Sequence, residues 1–130
     1  MKDEYGEFIL TLLHAATNTN ILHLRSNSYA EHMALGAFYQ ALPDLVDVVV
    51  ESIQGLQETL IDYPVDYYPP AENGLEELRA LKAYVAEERS DMPQDSEIQN
   101  SIDAIADLID STIYKLKFLR WVAIEFKGGV

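Results

Sequence analysis

The feature that most constrains this chain is a single apolar stripe. Leu35, Phe38, Leu42, Leu45, Val46, Val49, Ile53, Leu56 and Leu60 recur at helical spacing. On a wheel turning about 100° per residue they share one narrow arc for roughly seven turns, the pattern of a long amphipathic helix. His32, Gly36, Tyr39, Pro43, Asp47, Val50 and Glu51 fall beside that arc. Residues able to ligate a metal are therefore set to one side of the stripe.

Other segments read the same way. A first helix is expected over about 3–24, with Phe8, Ile9, Leu12, Leu13, Ala16 and Leu22 inward; Thr17-Asn18-Thr19-Asn20 interrupts its apolar pattern without Gly or Pro. Arg25-Ser26-Asn27-Ser28 reads as a tight connection, and Ser28 with Glu31 has the spacing of a capping box. The second helix is expected over about 28–60. Pro43 falls inside it and should kink it, but the stripe keeps its phase across the proline. Asp62–Asn73, DYPVDYYPPAEN, is the one long irregular segment and suits a crossover along a bundle. A third helix is expected over about 74–90, with Leu75, Leu78, Leu81, Tyr84 and Val85 inward. A fourth is expected over about 95–126, with Ile98, Ile102, Ile105, Ile109, Ile113 and Leu116 in a clean stripe. The fold class is all-α: one four-helix-bundle domain over 1–130, with a long crossover between the second and third helices.

Composition narrows the function classes. At 48% hydrophobic residues the chain can build a core. Nine basic residues stand against 22 acidic ones, for a net charge of −13. Nucleic-acid affinity rests on cations neutralising phosphates, so no nucleic-acid partner is expected. The charge-free run Leu10–Leu24 contains two histidines and five Thr or Asn residues and does not suit a bilayer span. No membrane association is expected. There is no cysteine, hence no thiolate metal site. An intracellular, cytoplasmic protein is the default expectation.

His23, His32, Asp47 and Glu51 are the candidate metal ligands, since imidazole and carboxylate together suit iron, zinc or manganese. Asp47 and Glu51 lie one helical turn apart, and His23 and His32 flank the first connection. His32 and Asp47, however, are 15 residues apart, or roughly 22 Å at about 1.5 Å per residue. No single ion can join them within one chain. Two copies of the second helix packed antiparallel about a two-fold axis would bring the histidine end of one to the carboxylate end of the other.

This layout resembles that of the mini-ferritins, the family named for DNA-binding proteins from starved cells. The interval from His32 to Asp47 and on to Glu51 matches the family's spacing. Tyr114-Lys115-Leu116-Lys117-Phe118-Leu119-Arg120-Trp121 resembles the aromatic end of its last helix, and Asp62-Tyr63-Pro64-Val65-Asp66 its crossover. The resemblance implies a ferritin-like bundle in a homo-oligomeric shell. It implies iron as the metal (with zinc or manganese as possible alternatives), bound at two-fold interfaces by His23 and His32 of one subunit and Asp47 and Glu51 of its mate, with ferroxidase-like oxidation and storage. The chain departs from the family in three places. The interval between His23 and His32 is shorter, Gly36 stands where the family often has an acid, and Leu24 stands where it usually has Trp. The alternative expectation is a ferritin-like interaction or structural protein, of a kind also encoded by phages, without a working metal site. No Glu-x-x-His motif occurs, so the two-motif ferritin di-iron site is not expected.

Three further groups stand out. Asp103, Asp107 and Asp110 share one face of the fourth helix and read first as a solvated face, second as an iron-attracting wall. His14 reads as a core or interface histidine. Tyr63, Tyr67 and Tyr68 either pack the crossover down or offer a surface to a partner.

Overall fold

The computed structural model describes residues 3–119. They form helices α1 (Asp3–Arg25), α2 (Tyr29–Gln57), α3 (Gly74–Glu88) and α4 (Ser96–Phe118), with a short 3-10 turn at Arg89–Asp91. There is no strand among the described residues. α1 packs on α2 and α3, and α4 packs on the same two, so α1–α4 and α2–α3 are the diagonals. Adjacent helices run antiparallel. Tyr5 at the start of α1 accepts a bond from Gln57 at the end of α2, at 3.2 Å. Lys82 of α3 and Arg89 just beyond its end pair with Asp110 and Asp103 of α4, in reversed order along the chain.

This ring makes α2 and α3 parallel, so their connection must travel the length of the bundle. Its course is pinned at three levels. At the lower end a side chain at Gly6 would collide with the Asp62 carbonyl oxygen, so the strap lies directly on the α1 backbone. Higher up, buried Asn18 donates to the Tyr68 carbonyl at 2.9 Å and accepts from the Tyr67 hydroxyl at 2.8 Å. At the top the Gly74 amide donates to Glu31 at 3.2 Å. Gly6 to Asn18 is about 18 Å of helix, and Asp62 to Tyr68 covers it only by running nearly straight, at about 20 Å. Pro64, Pro69 and Pro70 favour that extended backbone.

The core is the union of four stripes. Phe8, Ile9, Leu12, Leu35, Phe38, Leu42, Ile53, Leu78, Ile98, Ile102, Ile105 and Ile109 are fully buried. Each such side chain contributes about 1.5–3 kcal/mol relative to exposure. By length and apolarity alone α2 would also suit a bilayer span, but here its apolar arc faces the bundle interior.

Most of the expected pattern is present, and Pro43 does not break α2. Several expectations are corrected. α2 ends at Gln57, short of Leu60, because Glu58 turns left-handed (φ 51°, ψ 40°) and its amide returns to the Gln54 carbonyl. The Gln54 side chain then accepts from the Ile61 amide at 3.0 Å. The turn delivers Ile61 to the core and leaves Leu56 and Leu60 exposed, though both continue the stripe in sequence. Leu13 on α1 is also exposed, while Ala15 is buried. Near the end of α4, Thr112 is buried and Ile113 only half-buried. α3 gives way to the 3-10 turn at Arg89. The expected continuation of α4 to Phe126, with Arg120 and Trp121, lies outside the described residues.

Candidate functional site

The α1–α2 connection is a three-residue turn, Ser26–Ser28. Ser28 caps α2 by accepting from the Glu31 amide at 3.3 Å. Glu31 does not complete the capping box. Its carboxylate accepts from the Ser26 hydroxyl at 2.5 Å and from the Gly74 amide that opens α3, where the helix dipole favours negative charge.

So short a turn brings His23 and His32 face to face. Their rings stack at 3.7 Å between centroids, with planes 17° apart. Each ring bonds to the other's backbone: His23 Nδ1 donates to the His32 carbonyl at 2.6 Å, and His32 Nδ1 to the His23 carbonyl at 2.9 Å. The His23 carbonyl belongs to the last turn of α1, where carbonyls lack a helical partner, so His32 caps that helix. A carbonyl only accepts, so each Nδ1 carries the proton, and the lone pair of each neutral ring sits on Nε2. This is the tautomer that a metal-binding imidazole usually shows, its second nitrogen hydrogen-bonded to a backbone oxygen.

Gly36 makes the pair possible. A Cβ at that position would stand 3.0 Å from His23 Cε1 and 3.1 Å from Nδ1. The short histidine interval and Gly36 are therefore coupled: even a β-carbon at position 36 would press on the His23 ring. Tyr39 closes in, its ring 5.3 Å from His23.

The stack also limits chelation. A metal binds imidazole near the ring plane, about 2.1 Å from nitrogen. Two planes only 17° apart and separated by 3.7 Å converge far beyond that reach. As placed, the two rings cannot share one ion.

Asp47 and Glu51 lie on the outer, exposed face of α2, a helical span of roughly 22 Å from His32. Burial, and after it the Asp47 charge, hold the Tyr63 phenol above its ordinary range. Among the described residues no three His, Asp or Glu side chains converge on one point.

The remaining sequence candidates find ordinary partners. Asp103 pairs with Arg89 and Asp110 with Lys82, so two of the three α4 aspartates bridge to α3 and the 3-10 turn that follows it. His14 meets the Tyr67 ring edge-on at 5.0 Å. Between α1 and α3 a groove of about 310 Å³ is lined by Glu7, Thr11, Tyr68, Glu77, Leu81 and Tyr84, among others. Burial raises the Tyr84 pKa, a bond with Thr11 partly offsets this, and the Glu88 and Glu7 charges add to the rise. Glu77 already accepts from the Ala71 amide.

Residues 23–116 match a protein family described as "Family of unknown function (DUF5856)". The chain belongs to that family. No curated protein and no solved structure matches it. The matched stretch of this DUF5856 chain contains the histidine pair, all of α2 with Asp47 and Glu51, and the crossover.

Sequence reasoning missed Asn18 and Gly36. Asn18 sat in the polar interruption of α1, the only available hint. Gly36 was visible only as a departure.

Proposed function

We propose that this chain is a mini-ferritin-like bundle that pairs through the outer face of α2, binds and oxidises Fe²⁺ at the resulting two-fold interface, and stores the product in a closed homo-oligomer. His23 and His32 of one subunit, with Asp47 and Glu51 of its mate, make up the site. The antiparallel ring of helices with its full-length crossover is the arrangement that reading requires.

The observation that carries the reading is the sidedness of α2. In its first half the exposed residues are Tyr29, Met33, Ala37 and Gln40, with no charge; in its second half they include Asp44, Asp47, Val48 and Glu51. A parallel pairing sets acid on acid. An antiparallel pairing sets the acids of each copy against the uncharged, N-terminal half of the other, where the helix dipole is positive. Centred between Gln40 and Ala41, it puts Met33 opposite the mate's Val48, both about half exposed (53% and 50%). The same register puts His32 between the mate's Asp47 and Glu51.

Native mass by light scattering is the first test, followed by Fe²⁺ oxidation. A closed assembly that oxidises Fe²⁺, and loses this when His32 and Glu51 are both replaced by Ala, supports the reading. A monomer, or oxidation unchanged in the double variant, sinks it.

The closed histidine stack favours a second reading, a ferritin-like interaction or structural bundle without metal chemistry. It requires that Fe²⁺, Zn²⁺ and Mn²⁺ leave the melting temperature unchanged, since a ligand that binds only the fold must raise it.

A further inference from the structure

Within the interfacial metal reading, on which this inference rests, the two histidines are not equivalent. We infer that His32 alone is the imidazole ligand and that His23 is a positioning residue, which holds His32 in the stack with Nε2 as its free acceptor.

Three observations separate the roles. First, the rings cannot serve one ion from the stacked arrangement, so at most one of them ligates while the pair stays closed. Second, both residues are half-buried, but His23 is the one held by further neighbours. Its ring packs against Gly36, Tyr39 and His32, and a Cβ at Gly36 would lie only 3.9 Å from its Nε2. Leaving the stack would cost it those contacts and its 2.6 Å bond to the His32 carbonyl. Third, His32 belongs to α2, the helix whose outer face carries Asp47 and Glu51. It can bind in its ring plane without disturbing either Nδ1 bond. The backbone carbonyl of His23 fixes its tautomer, and the His23 ring fixes its orientation.

The α3–α4 hairpin shows what such a clamp looks like without spare ligand capacity. There Arg89 donates to the Gln99 carbonyl at 3.1 Å and Gln99 donates to the Arg89 carbonyl at 3.1 Å. The Gln99 side-chain oxygen is itself taken by Arg89 Nε, and guanidinium has no acceptor. The histidine clamp makes the same two crossed bonds but leaves ring nitrogens with free lone pairs.

The test is Zn²⁺ titration of the full chain in its native assembly, read by the nitrogen shifts of the histidine rings and by calorimetry. Before metal, both neutral rings should show protonated Nδ1. Zn²⁺ should move His32 Nε2 and leave His23 Nε2 nearly unmoved. His32→Gln should abolish binding. His23→Ala should weaken it about 10–100-fold, as loss of a supporting partner does. His23→Gln should recover most of that loss, because its amide can donate to the His32 carbonyl. Equal loss in His23→Gln and His32→Gln, or a Zn²⁺ shift at His23 Nε2, overturns the inference. No shift at His32 also overturns it. If Fe²⁺ oxidation persists in that case, the interfacial reading survives with other ligands, and if oxidation is absent both fall.

Discussion

The two helical hairpins of this bundle solve one problem with different chemistry. In each, a residue at the end of the first helix and one early in the second exchange side-chain bonds to each other's backbone carbonyl. His23 and His32 do so across nine residues, Arg89 and Gln99 across ten. The α3–α4 version is elaborate: Gln99 also donates to the Pro93 carbonyl, and Gln94 donates to three carbonyls of the turn. The α1–α2 version has a shorter turn, closed by the two rings together with the Ser26 and Ser28 hydroxyls. Closing a hairpin therefore does not require imidazole, which isolates what the first hairpin has in excess: two nitrogen lone pairs in a half-buried setting.

The comparison can be broken from either side. The largest effect is expected at Gly36. Gly36→Leu drives a side chain into the His23 ring and should cost about 2 kcal/mol or more in urea unfolding, the scale of core overpacking, with loss of the ring stack by NMR. Gln99→Leu removes the corresponding bonds of the second hairpin and leaves the Arg89 and Pro93 carbonyls short of a donor. A loss of about 1–2 kcal/mol is expected, with the histidine spectrum unchanged. Asp103→Asn weakens the 2.6 Å pair with Arg89, but Asp103 is exposed. Thermal melts should register only about 0.2–1 kcal/mol, smaller still in high salt.

The smallest effect is electrostatic. Burial, then the charges of Asp91, Glu87 and Glu7, raise the Glu88 pKa. A carboxyl whose folded-state pKa is raised holds its proton more tightly in the fold. Its contribution thus favours the fold at low pH and is lost as pH climbs through the folded value. Glu88→Gln should raise the melting temperature slightly near neutral pH and leave it unchanged in acid. An equal change at both ends of the pH range refutes the electrostatic account.

Much of the architecture was legible from period alone, because α2 and α4 keep their phase over many turns. The exceptions have local causes. Leu56 and Leu60 look like core until Glu58 turns left-handed, a conformation that a glutamate in sequence does not announce. Asn18 looks like an interruption because its partners, Tyr67 and Tyr68, are some fifty residues away. The candidate residues were legible only as a spacing: His32, Asp47 and Glu51 are spread along α2 as helix geometry requires. The crossed bonds between the histidines were not, because they follow from a turn length and a glycine whose joint effect appears only in three dimensions.

The extended strap over α1 has a last consequence. Val65 at its middle is fully solvent-exposed, and among the described residues no hydrogen bond involves Pro64 or Val65. A nick there severs the polypeptide into two hairpins, each closed by its own clamp and each missing half a core. Separately produced, the two fragments should seek one another and rebuild the bundle, since the helix contacts and the Asn18 bonds to Tyr67 and Tyr68 that join them are all non-covalent. The protein is in this sense a heterodimer whose halves happen to share a chain.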